Sequence, residues 1–392
     1  MKKARSPFHI MVKPRGPICN LACEYCYYLP KKKLYPDSDF RMTSELLANF
    51  TQQMIAAQPG SQVTFSWQGG EPTLMGLDFF EEAIQLQKKF APRSMRVTNT
   101  MQTNGTILNP AWCRFFKANN FLIGLSLDGP SSIHNTYRYN KIGQGTFDYV
   151  MRAARLLKQH NVDFNILCCV HQANINHPLE VYQFLRDKVG ARFIQFIPII
   201  QRELDEESQE TQSITKLSIE GAAYGEFLKI IFDEWVRHDV GRVFVQLFDV
   251  ALGVYVSRPS SLCVFTETCG WALVLEHNGD LYSCDHFVNP ENRLGNITQT
   301  PLVNIIDSEK QNQFGMNKQD KLSQTCLDCD VRFICNGGCP KNRDESGLNL
   351  LCEGYRSFFR YINQPMRMMA DLLWQKRAPA EIMQLIKLKN NK

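Results

Sequence analysis

The 392-residue chain has no long apolar run. Its longest candidates, Phe121 to Leu127 and Phe164 to Val170, have strand length and fall far short of the ~20 apolar residues that cross a bilayer. No membrane association is expected. The N-terminus, Met1-Lys2-Lys3-Ala4-Arg5-Ser6-Pro7, leads only into the short run Phe8 to Val12, with His9 inside it, which is no signal-peptide core. Charge of one sign is also scarce. Lys and Arg number 44 against 39 Asp and Glu, a net +5, too little to imply a nucleic-acid partner. The most basic piece, Lys376, Arg377, Lys387, Lys389 and Lys392 against Asp371 and Glu381, reads as a solvated tail. No repeat of fixed period is present. With 44% apolar and 21% charged residues, the composition excludes a disordered or collagen-like chain and suits a large soluble protein.

Cysteine, by contrast, is plentiful. Fourteen in 392 residues are too few for a small disulfide scaffold and more than an ordinary cytosolic enzyme needs structurally. The expected compartment is the reducing cytoplasm, where such cysteines serve as metal ligands rather than disulfides.

From about residue 8 to 240, β-rich runs alternate with helical patterns, the signature of an α/β fold with parallel strands. The strand runs are His9–Lys13, Val63–Trp67, Arg96–Gln102, Leu122–Leu127, Asp163–Val170 and Phe193–Pro198. Between them lie a helix bearing Leu47, Phe50 and Met54 after a Thr43 cap, a capping box at Asp78 and Glu81, a Thr146 cap, and a helix from Pro178 to Gly190. Gln201 to Ser213, rich in Glu, Gln and Ser, reads as a surface loop, and an amphipathic helix carries Phe227, Leu228, Ile231 and Trp235. Six such units make an incomplete barrel, since closure takes eight, and its active site belongs at the strand C-termini. Beyond residue 241 the alternation stops. The expected organisation is a partial (β/α)6 barrel over residues 1–240, a cysteine-rich domain over 241–362, and a helix with a basic tail over 363–392.

Directly after the first strand comes Cys19-x3-Cys23-x2-Cys26. Three thiolates at this spacing hold three irons of a [4Fe–4S] cube and leave the fourth iron open, as catalysis requires. A closed zinc site is the alternative, but it takes four ligands and no fourth is nearby. A zinc-bearing scaffold without catalysis is thus the rival from another class.

This motif, with an aromatic before its third cysteine, resembles the signature of the radical S-adenosylmethionine (SAM) superfamily, whose fold is a partial (β/α)6 barrel. The resemblance implies that the open iron chelates the amino and carboxylate groups of SAM. Reductive cleavage then gives a 5′-deoxyadenosyl radical. Gln68-Gly69-Gly70-Glu71-Pro72, after the second strand, is similar to the family's GGEP motif, which places Gly70 at the SAM amino group. Tyr25 lies in the aromatic surface around the cluster. Ser126 and Arg138 resemble the positions that hold the SAM ribose and carboxylate, and Ile199 or Ile200 an apolar wall for adenine.

Cys263, Cys269 and Cys284, followed by Cys326, Cys329, Cys335, Cys339 and Cys352, resemble the SPASM extension of peptide-modifying members. By that resemblance Cys263, Cys269, Cys284 and Cys339 hold one auxiliary [4Fe–4S] cluster, and Cys326, Cys329, Cys335 and Cys352 another, so that three clusters are expected in all. Cys113, Cys168 and Cys169 are left over and read as core material.

Asp285 follows Cys284 directly, a place suited to a general base beside a cluster, or to a structural carboxylate supporting it. The segment Tyr282 to Val288, with Phe193-Ile194-Gln195-Phe196-Ile197-Pro198 and the stretch from Leu127 to Asp148, resembles the anaerobic sulfatase-maturating enzymes. Asn135 departs from that family's usual Asp. The resemblance implies oxidation of an active-site cysteine or serine of a sulfatase to Cα-formylglycine, with Asp285 as proton acceptor. The implied partners are the sulfatase polypeptide and an external electron donor such as a flavodoxin or ferredoxin. Tyr28 and Gln68 are candidate peptide contacts. Another SPASM-type peptide maturase, making a crosslink or a different oxidation, shares every cluster residue and remains the alternative.

Overall fold

The computed structural model of the chain describes residues 2–204 and 210–390. Six strands form where the apolar runs stand: β1 (His9–Lys13), β2 (Gln62–Trp67), β3 (Arg96–Thr103), β4 (Phe121–Ser126), β5 (Phe164–Val170) and β6 (Phe193–Pro198). Helices α1 (Ser44–Ala57), α2 (Leu77–Phe90) and α3 (Pro110–Ala118) separate the first four. Thr43 caps α1 by accepting from the Leu46 amide, and Asn109 caps α3 through two amides. No helix among the described residues is long and apolar enough to cross a membrane.

The chain divides into two units. One comprises Met1–Ser126, Tyr137–Phe164 and Cys269–Asn317; the other comprises Leu127–Thr136, Asn165–Thr268 and Lys318–Lys392. In the first unit β1, β2, β3 and β4 are parallel neighbours in chain order, with Ile10 beside Phe65, Thr64 beside Thr98 and Met101 beside Ile123. On its other edge β1 pairs in parallel with Ala272–Glu276, whose register sets Lys13 opposite Glu276. The chain turns at Asn278-Gly279 and returns antiparallel as Asp280–Tyr282, leading into Cys284 and Asp285. The core beneath is aromatic: Trp67 packs edge-on against Phe79 and Phe80, and Phe80 against Trp112.

In the second unit β5 and β6 are parallel, with Leu167 beside Gln195, and β6 continues to Phe244–Val245. The amphipathic pattern forms the helix Gly221–His238, burying Phe227, Leu228, Ile231 and Trp235. Helix Cys352–Trp374 belongs to this unit. Its Gly354 lies so close to the first helix that an added Cβ would overlap the Gly221 carbonyl oxygen and stand 2.9 Å from the Gly225 nitrogen.

Three local expectations differ. Gln201 to Ser213 is no simple loop, because Arg202–Leu204 and Glu210–Ile214 pair antiparallel; an alternating Thr-Gln-Ser-Ile run suits a strand as well as a loop. Residues 205–209 within it, like Met1 and Lys392, lie outside the described residues. Asp78 heads no capping box, since α2 starts at Leu77 after Gly76 with no side-chain cap; the carboxylate sits in the first turn, where it complements the helix dipole. Thr146 stands at its helix's N-cap position without capping it, its hydroxyl donating instead to the Arg138 carbonyl at 3.0 Å.

Candidate functional site

None of the fourteen cysteines is disulfide-bonded. The Cys19 to Cys26 loop leaves β1 and is pinned along its length: the Ala22 amide donates to the Tyr139 carbonyl, the Glu24 amide to that of Tyr137, and the Cys26 amide turns back to Cys23. Cys19 Sγ accepts from the Leu21 amide at 3.3 Å and the Asn104 side chain at 3.6 Å. Burial foremost, with the Glu71 charge adding, pushes its thiol up to about 12, so a thiolate here needs a compensating cation. Iron supplies one, and three sulfurs on one short loop suit the iron–sulfur chemistry expected.

The glycine motif packs against this loop. The Glu71 amide donates to the Ile18 carbonyl, and a Cβ on Gly70, at φ +48°, would overlap that carbonyl and stand 2.8 Å from the Gly16 oxygen. Glu71 turns inward. Its carboxylate accepts from the Thr73 amide and hydroxyl, the Thr103 hydroxyl and the Asn104 amide, so this acid ties its own turn to the end of β3. Tyr25 is buried, and its hydroxyl accepts from buried Arg138 at 2.8 Å. Ser126 ends β4 nearly buried. In the second unit Ile199 donates its amide to Val170, and Ile199 and Ile200 follow β6 half-buried.

Asp285 is 5% exposed. Its Oδ1 lies 2.5 Å from Lys13 Nζ, and its Oδ2 accepts from the Tyr27 hydroxyl. Burial drives the carboxyl up, but the Lys13 ammonium, His286 and the Tyr27 hydroxyl outweigh it, and it stays below its ordinary value. Asp285 is therefore an anion in a dry site. Tyr27 is raised well above its usual value by burial and by the Asp285 charge, and remains a neutral donor. Lys13 also donates to Gln68 Oε1 at 3.4 Å and lies over the Tyr28 ring, 4.3 Å from its centroid. The Tyr28 hydroxyl donates to Glu276, and Gln68 donates onward to Gln102. The three residues singled out as base and peptide contacts, Asp285, Tyr28 and Gln68, thus meet on one lysine. Sequence reasoning missed Lys13 and Glu276. The available signal was an isolated lysine ending an apolar strand, immediately before Pro14.

The eight C-terminal cysteines are divided between the two units. In the second unit Cys326, Cys329, Cys335 and Cys352 line one cavity with Gly337 and Asn349, and burial pushes the Cys335 thiol up to about 12. Cys263 and Cys339 share this unit. Lys318, fully buried, donates to the carbonyls of Cys263, Val264 and Thr266, Asn336 donates to Phe265 and Asn349 to Cys339. In the first unit Gln311 donates to Gly270 and Ser283, the neighbours of Cys269 and Cys284. Among the described residues no three His, Cys, Asp or Glu are grouped to hold a single ion; the cysteines of a cube each meet a different iron. Cys113 and Cys168 are buried in the core.

Residues 14–185 match the radical SAM superfamily and residues 267–330 an iron–sulfur cluster-binding domain, SPASM. Over 397 residues the chain is 42% identical to the serine-type anaerobic sulfatase-maturating enzyme of Bacteroides thetaiotaomicron, covering 97% of this chain and 95% of that protein. It is 34% identical to the cysteine-type enzyme of Clostridium perfringens, covering 91% and 96%. The solved structure of native anSMEcpe with bound AdoMet and the Kp18Cys peptide superposes with a TM-score of 0.84 at 34% identity, over 93% of this chain and 99% of that one. With its fold, its cysteine loop and its relatives in agreement along nearly the whole length, the chain belongs to the anaerobic sulfatase-maturating enzymes of the radical SAM superfamily.

Proposed function

We propose that this chain oxidises a serine or cysteine in a sulfatase active-site motif to Cα-formylglycine. The observation that carries the reading is the buried Asp285 anion, next to Cys284 and paired with Lys13, in a chain this similar to maturases of both types. In this reading Cys19, Cys23 and Cys26 hold a [4Fe–4S] cluster, and Tyr25, Gly70, Ser126, Arg138 and Ile200 receive SAM. Cys263, Cys269, Cys284 and Cys339 hold a second cluster, and Cys326, Cys329, Cys335 and Cys352 a third. When bound, these groups supply radical removal of hydrogen from the target Cβ and uptake of the second electron.

The chain's own residues do the rest. Asp285 accepts the proton of the target hydroxyl or thiol, as a general base within a site that excludes water. Tyr27 fixes its second oxygen. Gln68 and Tyr28 bear on the peptide at the mouth of the loop. An external donor such as a flavodoxin or ferredoxin supplies the reducing electron, and a reducing cytoplasm keeps the cysteines from forming disulfides. We assign residues 1–240 to the barrel, 241–362 to the auxiliary-cluster domain and 363–392 to a terminal helix and tail.

The test is anaerobic incubation of the reconstituted protein with SAM, a reductant and sulfatase peptides of both types. A serine peptide should lose two hydrogens; a cysteine peptide should lose two hydrogens and exchange sulfur for oxygen. Deoxyadenosine formation with both peptides unchanged would overturn the assignment.

A further inference from the structure

Two observations meet at Lys13, and neither concerns the cysteines. The first is its set of partners: a buried ammonium, 1% exposed in its side chain, 2.5 Å from Asp285, donating to Gln68 and lying on the Tyr28 ring. The second is the room made for its stem. Gly69, at φ +88°, approaches it so closely that a Cβ there would overlap Lys13 Cδ and stand 3.0 and 3.1 Å from Cγ and Cβ. The two glycines of the motif therefore serve different neighbours. Gly70 clears the backbone of the cysteine loop, whereas Gly69 clears the lysine.

We infer that Lys13 is the positioning residue that aims the Asp285 carboxylate at the substrate, and that Gly69 is a glycine because Lys13 must pass it. This rests on the reading of Asp285 as the base. Lys13 is well placed for the task. It ends β1 with its backbone in register with Glu276, so its Cα is fixed by the sheet, and its ammonium has three directional partners instead of one. Asp285 sits in a single short turn, Asp285–Phe287, and its position otherwise depends on Tyr27 alone. Without Lys13 the carboxylate keeps one tether and is free to rotate away from the proton it must take. A displaced base slows the proton transfer and leaves SAM cleavage intact, so the radical is generated without productive oxidation.

The experiment measures formylglycine and deoxyadenosine together in reconstituted Lys13→Met, Lys13→Arg, Gly69→Ala and Asp285→Asn proteins, with iron content as the check on integrity. A charge-assisted hydrogen bond contributes about 1.5–3 kcal/mol, so Lys13→Met should lower kcat for formylglycine ~10- to 100-fold. Iron content and deoxyadenosine formation should stay near wild type, so the ratio of deoxyadenosine to product rises. Lys13→Arg, which keeps the charge, should recover part of the loss. Gly69→Ala should show the same rise in ratio. Lys13→Met at wild-type kcat beside an inactive Asp285→Asn overturns the positioning role alone. Full activity in Asp285→Asn overturns the reading of the base as well. Iron, deoxyadenosine and product all falling in proportion in Lys13→Met would make the lysine a structural strut and also overturn the inference. Wild-type coupling in Gly69→Ala refutes the role of the glycine.

Discussion

The Lys13–Asp285 pair should be visible in folding stability as well as in turnover. Asp285→Asn removes the charge that compensates Lys13 while keeping nearly the same shape. The lysine is 1% exposed and cannot swing into water, because its stem is held by Gly69 and the Tyr28 ring. Removing one member of a buried pair costs about 3–5 kcal/mol. Asn retains the Tyr27 hydrogen bond and Lys13 retains Gln68 and the ring face, so the lower half of that range is expected. The reverse change, Lys13→Met, leaves the Asp285 anion with Tyr27 only and should cost a similar amount. The double variant Lys13→Met/Asp285→Asn has no stranded charge and places a methionine along the same apolar path. It should recover most of the loss and lie within about 1–2 kcal/mol of wild type. The cycle therefore gives a coupling energy of several kcal/mol, far above the few tenths that independent sites show. Urea titration of the reconstituted proteins, followed by circular dichroism at constant iron content, measures it. Additive single losses, or an Asp285→Asn cost below about 1 kcal/mol, would show that the pair is not the buried charge pair described. On the proposal that Asp285 is the base, the double variant should remain inactive although its stability returns.

Other consequences can be checked separately. Burial pushes the Asp249 carboxyl from 3.8 up to about 7, so the folded state holds a proton that the unfolded chain releases, and stability falls as pH rises from about 4 through 7. Relative to Asp249→Asn, wild type should lose up to about 1.4 kcal/mol between pH 6 and 8; parallel urea midpoints for the two proteins across that range would refute the shift. Gly354→Ala forces a methyl into the Gly221 carbonyl and should cost more than ~1–3 kcal/mol of overpacking, seen as a lower Tm. Gly253→Ala, in the helix Gln246–Tyr255 with nothing within 4 Å of an added Cβ, should be neutral or stabilising by about 0.5–1 kcal/mol. Anaerobic iron analysis should give ~12 irons for three cubes, and Cys352→Ala should take it towards ~8; an unchanged iron count would remove Cys352 from the ligand set.

The strands were legible because each is a short apolar run bounded by breakers, and β1 and β6 have the limits read from sequence. The cysteine loop and glycine motif were legible because their chemistry depends on close spacing. Lys13 was not. A lysine at a strand end ordinarily carries its charge into water, and what buries this one is the pairing of β1 with Ala272–Glu276, a segment far along the chain. Long-range register leaves no local mark. The same holds for Gln311, whose hydrogen bonds to Gly270 and Ser283 depend on how a polar helix docks. Asp78 misled because a capping box and a dipole-compensating first turn share one sequence pattern.

The turn of Cys263 is fastened by a lysine. Lys318 reaches three carbonyls of that turn from a fully buried position, and its own carbonyl accepts from Arg343 at 2.7 Å. A small metal site often acquires its shape only when the metal arrives, so that binding and folding are one event. Here the chain's own donors already close the turn. On the proposal that Cys263 holds a cluster, iron would have less conformational entropy to freeze and delivery would be a docking event on a finished surface, so a protein stripped of iron should keep this segment protected from hydrogen exchange.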